Sequence, residues 1–323
     1  MKRFRVLHKI SFVLLILLLM FGISIYAYVP RIIAEVKNPV ASLFNKGLMD
    51  EQAPDFGRYH LKGARTWRIP VNDSIRLSLY EVPARGRPKG TVLALHGYRS
   101  NKNRFLPVAR YFTEHGWRFI AVDLRAHNQS SGTWSGFSYY ERDDIRHLID
   151  SLEARGLIRP PLVLYGHSIG AATAVYVAAS KPEVRGLILE SCFDDFGSLL
   201  PNYWEFYVTG QAEMPAEMAQ NFFREMHIPI DSIRPLAVAP QVHVPVLQIQ
   251  GLADQKVRPT QAQRLFDAFG TNRKQWMGIP GGTHNRLWLP DTTAYFNQVL
   301  GFLDTLSTVG TARSPDPAPR NIR

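Results

Sequence analysis

Cysteine is almost missing from this chain of 323 residues, in which Cys192 is the only one. A single cysteine excludes an internal disulfide framework and also a zinc site built on several cysteines. Charged residues are few, at 20%, whereas hydrophobic residues make up 46%. The chain can therefore bury a sizeable core, and it is not disordered along its whole length.

The sequence also lacks the basic helix or the alternating basic and aromatic residues of a nucleic-acid binder, although its formal net charge is +11. Residues 1–37 carry six basic residues and one acidic residue, a net charge of +5. The tail 309–323 carries +2, which leaves +4 for residues 38–308. Most of the positive charge therefore lies at the two ends, and no nucleic-acid partner is predicted.

Residues 10–29 form a run of 20 residues without a charged side chain. That length suffices for a helix to cross a membrane. Lys2, Arg3, Arg5 and Lys9 precede the run, which predicts a cytoplasmic N-terminus and a globular part on the outer, extracytoplasmic side of the cell membrane. We predict an uncleaved signal anchor. Secretion after cleavage of a signal peptide is the alternative, although no clear small-residue cleavage site follows the run.

Four segments are predicted along the chain: a cytoplasmic stub with the anchor at 1–29, a connector at 30–65, a globular domain at 66–308 and a disordered tail at 309–323. In the globular domain, short apolar runs alternate with segments of helical periodicity. Repeated units of this kind predict an α/β fold, in which helices cover both faces of a mainly parallel sheet. The first two strands are expected to be antiparallel, and residues 193–240 are expected to form a short helical cap insert.

The central motif is Gly166-His167-Ser168-Ile169-Gly170. It directly follows the predicted strand PLVLY and directly precedes the Ala-rich predicted helix AATAVYVAAS. G-x-S-x-G between a strand and a helix is typical of a nucleophile elbow, a tight turn that raises a serine above the sheet. The glycines let the strand and the helix pass closely. Ser168 is therefore the predicted nucleophile.

A serine nucleophile needs a base, and the base needs a group that orients it. Asp254 follows the predicted strand VPVLQIQG, and His284 lies on a glycine-containing loop after the predicted strand KQWMGIP. We expect His284 to act as general base and then as general acid, while Asp254 fixes its tautomer and stabilises the imidazolium. Asp194 and Asp195, which follow another predicted strand, are the alternative acids.

An acyl transfer also needs hydrogen-bond donors for the oxyanion. The backbone N–H of Ile169, directly after the nucleophile, is one predicted donor, and the N–H of Tyr98, after the first buried strand, is the other. We expect His96 to brace that loop and Asp123 to cap a loop. The remaining histidines are expected to be surface or packing residues: among them are His60, His115, His147, His227 and His243.

Taken together, these motifs resemble the α/β-hydrolase superfamily over about residues 75–300. The resemblance rests on LHGYRS, DLRAHNQSSG, YGHSIGA, LESCFDD, IQGLADQKV and PGGTHN. The chain looks most like membrane-anchored, small-cap serine hydrolases related to prolyl-oligopeptidase and serine-aminopeptidase domains. The resemblance implies an α/β-hydrolase fold, and the chain order Ser168, Asp254, His284 is the order that this fold requires.

The sequence departs from the family's pattern in two places. The family's loop D-x-R-G-H-G-x-S-x-G has glycines where this chain has Ala126 and Asn128. That departure calls the geometry of the loop into question but leaves the catalytic residues untouched. The His-Gly-Gly-Gly sequence of one lipase branch is absent, which argues against that branch.

The predicted cap insert is rich in aromatic residues. Phe196, Tyr203, Trp204 and Phe222 are the predicted substrate-binding side chains, lining a pocket for an acyl chain. The alternative is that these aromatics simply pack the cap onto the sheet, because an amphipathic helix must bury one face.

The predicted activity is hydrolysis of a small-molecule carboxylic ester, of a lipid-like or lysolipid kind, through an acyl-enzyme. The chemistry needs no metal and no organic cofactor, and no oligomeric state is predicted. A peptidase or amidase on small peptides is one alternative. A non-catalytic binding protein with a hydrolase fold is another, against which the intact Ser, Asp and His set argues. Dehalogenases and epoxide hydrolases need an aspartate where this chain has Ser168.

Overall fold

The computed structural model describes residues 11–20, 22, 24, 28, 35–37, 51–205, 223, 224 and 226–307. Residues 11–20 are helical, and their side chains are exposed. No helix among the described residues is long and apolar enough to cross a membrane. The anchor predicted over 10–29 is described only in part; it finds no support in the described residues and stays a prediction. The predicted tail 309–323 lies outside them.

The strands of the described residues form one sheet of eight. They are β1 Arg65–Pro70, β2 Arg76–Val82, β3 Gly90–Leu95, β4 Trp117–Val122, β5 Leu162–His167, β6 Val184–Glu190, β7 Val246–Gly251 and β8 Lys274–Ile279. Their order across the sheet is β1-β2-β4-β3-β5-β6-β7-β8. β2 is antiparallel to both β1 and β4, and all the other pairs are parallel. The predicted antiparallel start and mainly parallel sheet are confirmed.

The composition of the central strands explains their position. Every residue of β3 (GTVLAL), β5 (LVLYGH) and β7 (VLQIQG) is buried. Strands with continuous apolar runs belong where both faces of a sheet are covered. β1, with the sequence RTWRIP, has three polar residues and is mostly accessible, and it lies at the edge of the sheet.

Helices cover both faces of the sheet. The α-helices of residues 51–307 that have both ends among the described residues are α1 Leu106–Glu114, α2 Glu141–Ala154, α3 Ile169–Ala178, α4 Phe196–Trp204, α5 Pro235–Val238, α6 Pro259–Ala268 and α7 Thr292–Ser307. One apolar core takes side chains from α2, α3 and α6, and the core on the opposite face takes them from α1 and α7. The prediction that helices cover both faces of the sheet is confirmed.

The parallel strands determine where the site lies. β3, β5, β7 and β8 run in the same direction, so their carboxyl ends meet at one edge of the sheet. The four loops that follow these strands carry Tyr98, Ser168, Asp254 and His284. Ligands bind outside the carboxyl ends of the strands in open α/β sheets. A site is therefore expected at this edge of the sheet.

Candidate active site

Ser168 occupies the turn between β5 and α3. Its backbone has φ 54° and ψ −118°, a conformation that is rare for a residue with a side chain. The N–H of Ser168 donates to the carbonyl oxygen of Glu190, at the end of the neighbouring strand β6, over 2.9 Å. The sheet thus holds the strained turn in place, with the serine at the carboxyl edge.

The two glycines of the motif are required for space. A Cβ built on Gly166 would lie 2.4 Å from the Cα of Ala171, and one built on Gly170 would lie 2.2 Å from the carbonyl oxygen of Leu95. Both distances are far below a non-bonded contact between heavy atoms. The strand, the elbow and the start of α3 can pass this closely only because neither position has a side chain.

Ser168, His284 and Asp254 form an unbroken chain of hydrogen bonds. The Nε2 atom of His284 lies 3.1 Å from the Oγ of Ser168, and its Nδ1 lies 2.8 Å from Oδ2 of Asp254. All three residues are buried. The structure therefore brings together the three side chains for which catalytic roles are predicted, in the spacing that proton transfer through a histidine requires.

The Asp254 carboxylate is fixed by its own loop. Its Oδ1 accepts backbone N–H groups from Lys256, at 2.9 Å, and Val257, at 3.1 Å. Its Oδ2 accepts the side-chain amide of Gln250 at 3.3 Å, besides facing His284. Because a carboxylate oxygen accepts, Nδ1 of His284 carries the proton and Nε2 is left to receive one. The acid thus fixes the tautomer of the base.

Two side chains hold the loop that carries His284 by hydrogen bonds to its main chain. The Nε2–H of His167 donates to the carbonyl oxygen of His284 over 2.8 Å, and the hydroxyl of Ser191 donates to the same oxygen over 3.2 Å. Burial lowers the pKa of His167 well below its usual value, so the ring stays neutral. The sequence does not reveal this role of His167, because the first x of G-x-S-x-G accepts many residue types.

One predicted oxyanion donor, Ile169, directly follows Ser168, and the residue before the other, Tyr98, packs against the elbow. Ile169 is the first residue of α3, where a helix leaves its N–H groups without an intrahelical acceptor. Gly97, which precedes Tyr98, packs against the elbow: a Cβ built on it would lie 3.3 Å from the Cβ of Ser168 and 2.5 Å from Nδ1 of His167. The role of Tyr98 and Ile169 as donors stays a prediction.

The alternative acids have other partners. Asp194 accepts the guanidinium of Arg264 at 2.8 Å and the hydroxyl of Ser198 at 3.2 Å. Asp195 caps the N-terminus of α4, where it accepts the N–H of Ser198 at 3.2 Å, and it pairs with Arg234. The hydrogen bond to His284 therefore favours Asp254 over both.

Asp123 holds the loop that follows β4, as a capping residue would. Its Oδ1 accepts the N–H of Lys102 at 2.8 Å, and its Oδ2 accepts the ammonium of the same residue at 2.5 Å. The amide of Asn128 adds a third donor at 2.9 Å. Lys102 and Asp123 are completely buried, so each charge is stabilised mainly by the other.

The aromatic residues of the cap insert divide into two groups. Phe196 is buried and packs against other rings, with centroid distances of 4.9 Å to Phe137 and 5.4 Å to Phe223. Phe196 is therefore part of the core, as the packing alternative expected. Tyr203 is half-buried, and its ring centroid lies 6.4 Å from that of His284. Phe222 and the side chain of Trp204 lie outside the described residues.

The remaining sequence candidates lie away from this arrangement. The histidines that were expected to be surface or packing residues are all exposed: His60, His115, His147, His227 and His243. Within the described ranges, no group of three or more His, Cys, Asp or Glu side chains is arranged to hold a metal ion.

Comparison with known proteins agrees with the fold. A family model described as "Serine aminopeptidase, S33" matches residues 86–201. Protein bem46 of Schizosaccharomyces pombe is 25% identical over 73% of this chain and 75% of its own length. Human monoglyceride lipase is 33% identical over a shorter part, 33% of this chain and 36% of its own.

A solved esterase, Pf2001 of Pyrococcus furiosus, superimposes with a TM-score of 0.65 at 18% identity. The match covers 79% of this chain and 97% of the esterase. At that identity the match shows the fold alone. Together with the sequence relatives, it confirms the resemblance to the α/β-hydrolase superfamily of serine hydrolases.

Proposed function

We propose that this chain, which resembles the α/β-hydrolase superfamily of serine hydrolases, cleaves carboxylic esters through an acyl-enzyme on Ser168. The observation that carries this proposal is the hydrogen-bonded chain from Asp254 through His284 to Ser168. A serine hydroxyl is a weak nucleophile until an adjacent, oriented base accepts its proton. Here the base is within reach of Oγ, and its tautomer is fixed by a buried carboxylate.

The first half of the reaction follows from this geometry. The Oγ of Ser168 forms a bond to the carbonyl carbon of the ester while its proton passes to Nε2 of His284. The carbonyl oxygen becomes an oxyanion, for which the N–H groups of Tyr98 and Ile169 are the proposed donors. When the tetrahedral intermediate breaks down, His284 returns the proton to the leaving alcohol, and an acyl group remains on the serine.

The second half repeats the steps with water. Nε2 of His284 takes a proton from a water molecule while the oxygen of that water bonds to the acyl carbon. The proton then returns to Oγ of Ser168 as the carboxylic acid leaves. Asp254 stays ionised and stabilises the imidazolium that forms in each half.

We assign a lipid-like or lysolipid ester as the substrate class. One relative is a monoglyceride lipase, and a structural neighbour is an esterase. The ring centroid of Tyr203, at the end of α4, lies 6.4 Å from that of His284, and this proximity supports a contact of the Tyr203 ring with the substrate. The run 10–29 supports a further part of the proposal, an N-terminal anchor that would keep the hydrolase domain at the outer face of the cell membrane.

A peptidase or amidase is the second candidate. It is favoured by one observation, the match of residues 86–201 to a family model named after a serine aminopeptidase. The same acyl-enzyme chemistry would serve both, because the leaving group of a peptide takes its proton from His284 as an alcohol does.

The test combines labelling with a substrate panel. We expect a fluorophosphonate probe to label the native protein and to leave Ser168→Ala unlabelled. Ser151→Ala, a change on α2 away from the site, is the matched control and should be labelled like the native protein. Failure of the well-folded native protein to react would contradict the proposal.

The panel compares esters of increasing acyl length with aminoacyl amides. Esters should be cleaved faster than the corresponding amides. Cleavage of the amides alone would replace the ester proposal with the peptidase candidate.

A further inference from the structure

Two buried imidazoles lie behind the loop that carries the predicted oxyanion donor Tyr98. His96 follows β3 on that loop, which we call the oxyanion loop (residues 96–100). His127 lies on the loop after β4, which we call the 123–132 loop. The two ring centroids are 4.8 Å apart and the rings meet edge to face. Both side chains are buried, and the proton transfers of the proposed function use neither.

Each ring bonds to its own loop and to the other one. Nδ1 of His96 lies 2.7 Å from the carbonyl oxygen of Gly97, and its Nε2 lies 3.0 Å from the backbone nitrogen of Leu124. Nδ1 of His127 lies 2.8 Å from the carbonyl oxygen of Arg125, and its Nε2 lies 3.1 Å from the backbone nitrogen of Arg99. The two histidines thus fasten the two loops to each other reciprocally.

The partners fix the tautomer of both rings. A carbonyl oxygen only accepts, so Nδ1 carries the proton in both histidines. A backbone N–H only donates, so Nε2 is unprotonated in both. Burial lowers the pKa of His96 and of His127 to about 3, which keeps both rings neutral at ordinary pH. All four ring nitrogens are therefore occupied by main-chain groups.

Two of these four main-chain groups belong to the peptides on either side of Tyr98. The carbonyl of Gly97 and the N–H of Tyr98 belong to one planar trans peptide, in which they point in opposite directions. The bond from His96 to the Gly97 carbonyl, to which Ser100 donates as well, therefore also sets the direction of the Tyr98 N–H. The bond from the Arg99 N–H to His127 fixes the next peptide.

We propose that His96 and His127 are positioning residues that aim and polarise the Tyr98 N–H as an oxyanion donor, an inference that rests on the proposed function. The peptide of Gly97 lies at the elbow, because only the missing side chain lets Gly97 approach His167 and Ser168. Hydrogen bonds to its carbonyl draw electron density from the peptide and make its N–H a stronger donor, since bonds in a chain polarise one another.

Asparagine and glutamine substitutions separate the two bonds of each ring. The amide nitrogen of asparagine takes the place of Nδ1, and the amide oxygen of glutamine takes the place of Nε2. His96→Asn keeps the bond to the Gly97 carbonyl, and His96→Gln keeps only the bond to Leu124. At position 127 the roles are exchanged, because Arg99 is held through Nε2 there. His127→Gln keeps the bond to the N–H of Arg99, and His127→Asn loses it.

A crossed pattern in kcat for an ester is the expected result. His96→Gln and His127→Asn should lower kcat by roughly 10- to 100-fold, less than the loss of an entire oxyanion donor. His96→Asn and His127→Gln should stay within about threefold of the native kcat, because the peptide next to Tyr98 stays held. KM should change little in all four, since the donor acts on charge that develops after binding.

Inhibition by a trifluoromethyl ketone distinguishes an effect on the oxyanion donor from a purely structural effect of the substitutions. Its carbonyl carbon bonds to Oγ of Ser168, the hydroxyl proton passes to His284, and the former carbonyl oxygen becomes an oxyanion. Its inhibition constant should rise in the two disrupting variants in proportion to the fall in kcat/KM. Thermal unfolding, measured in parallel, should shift to a similar extent in the Asn and Gln variants of each position.

Each outcome bears on the proposal. Equal losses of kcat in the Asn and Gln variants of one position, or losses confined to KM, would overturn it while leaving the proposed function intact. A native protein that neither cleaves esters nor binds the ketone would overturn both. If the variants at one position fail to fold, the pair at the other position carries the same test.

Discussion

The elbow and the 123–132 loop both lie at the carboxyl edge of the sheet, yet they keep the family's glycines to different degrees. At the elbow, Gly166 and Gly170 are present. In the 123–132 loop, two glycine positions of the family pattern hold Ala126 and Asn128. The structure shows why one site tolerates side chains and the other does not.

At the elbow, a side chain has no room. The Cβ that would be added at Gly170 meets backbone atoms of Leu95, the last residue of the central strand β3, and of His96, which directly follows it. In the 123–132 loop, the demand is conformational. Ala126 and Asn128 have φ of 64° and 44°, in the left-handed region that glycine adopts most readily.

A left-handed conformation costs a residue with a side chain only about 1–2 kcal/mol, and asparagine adopts it more readily than most. Asn128 also gains hydrogen bonds, from its amide to the carboxylate of Asp123 at 2.9 Å and to the carbonyl of Gln52 at 3.1 Å. The departure that the sequence argument questioned therefore leaves the loop in the conformation that glycines favour. A glycine needed for space is irreplaceable, whereas one needed for φ is not.

The largest effect is expected for Gly170→Ala. Its Cβ would lie 2.2 Å from the carbonyl oxygen of Leu95, so the strand or the helix must shift. We expect a loss of about 4 kcal/mol or more in the free energy of unfolding, measured by urea denaturation. Gly301→Ala, on α7, is the matched control because nothing lies within 4 Å of its Cβ.

The control should be neutral or up to about 1 kcal/mol more stable, because alanine favours a helix over glycine. A Gly170→Ala protein as stable as the control would refute the distinction between the two kinds of glycine.

Gly97→Ala should damage activity more than stability. Its Cβ would lie 2.5 Å from Nδ1 of His167, a side chain that can give way more easily than backbone. If His167 shifts, its bond to the carbonyl of His284 is disturbed, and if it does not, the Tyr98 peptide must move away from Ser168. In either case a misplacement of about 1 Å costs roughly 100-fold in rate. Steady-state kinetics and thermal unfolding of the same sample provide the check. A native kcat would show that the close approach of Gly97 to the elbow has no part in catalysis.

The neutral histidines behind the loops make stability depend on pH. Their pKa is about 3 in the folded protein against 6.5 for an ordinary histidine, so below pH 6.5 only the unfolded chain takes up the protons. The contribution of these two histidines to the free energy of unfolding should therefore be fully present above pH 6.5. It should be lost progressively as the pH drops towards 3.

Each histidine should contribute a slope of about 1.4 kcal/mol per pH unit. His127→Gln has no proton to bind in this range, so its stability curve should be shallower by that amount. Denaturant midpoints between pH 4 and 7, compared with the native protein, measure the difference. Parallel curves for the two proteins would argue against a neutral, buried His127.

The smallest effects are expected where the family's glycines are restored. Ala126→Gly relieves a strained φ but adds freedom to the unfolded chain, and the two contributions of about 1 kcal/mol each nearly cancel. Asn128→Gly loses hydrogen bonds to Asp123 and Gln52, and it should destabilise the fold by about 1 kcal/mol. Thermal unfolding of both variants tests this order. A large gain from Asn128→Gly would mean that strain outweighs its hydrogen bonds.

The sequence predicted those parts that local pattern decides. Runs such as TVLALHG and PLVLYG are apolar and end in glycine, and they are the buried strands β3 and β5. Parallel strands end at the same edge, so the places of Ser168, Asp254 and His284 followed once the strands were recognised. The choice of Asp254 over Asp194 and Asp195 rested on chain order, and the hydrogen bond to His284 favours the same residue.

Other parts depend on packing that no local pattern expresses. Phe196 was predicted to line a pocket, but an aromatic residue on an amphipathic helix does not reveal which surface it will face, and it lies in the core. His127 bonds to Arg99, 28 residues away in sequence, so its role emerges only when β3 and β4 bring the two loops together. The motif leaves the position of His167 open, and its bond to the carbonyl of His284 joins residues 117 apart in sequence, so its role was not predicted either.

Trapping of the acyl-enzyme tests the central claim most directly. The native protein is mixed with an activated ester, quenched in acid within milliseconds, digested and analysed by mass spectrometry. We predict one acyl group, carried by the peptide that contains Ser168, and no acyl group on Ser168→Ala under the same conditions. Ester cleavage by the native protein without an acyl group on Ser168, or with one on another residue, would contradict the account.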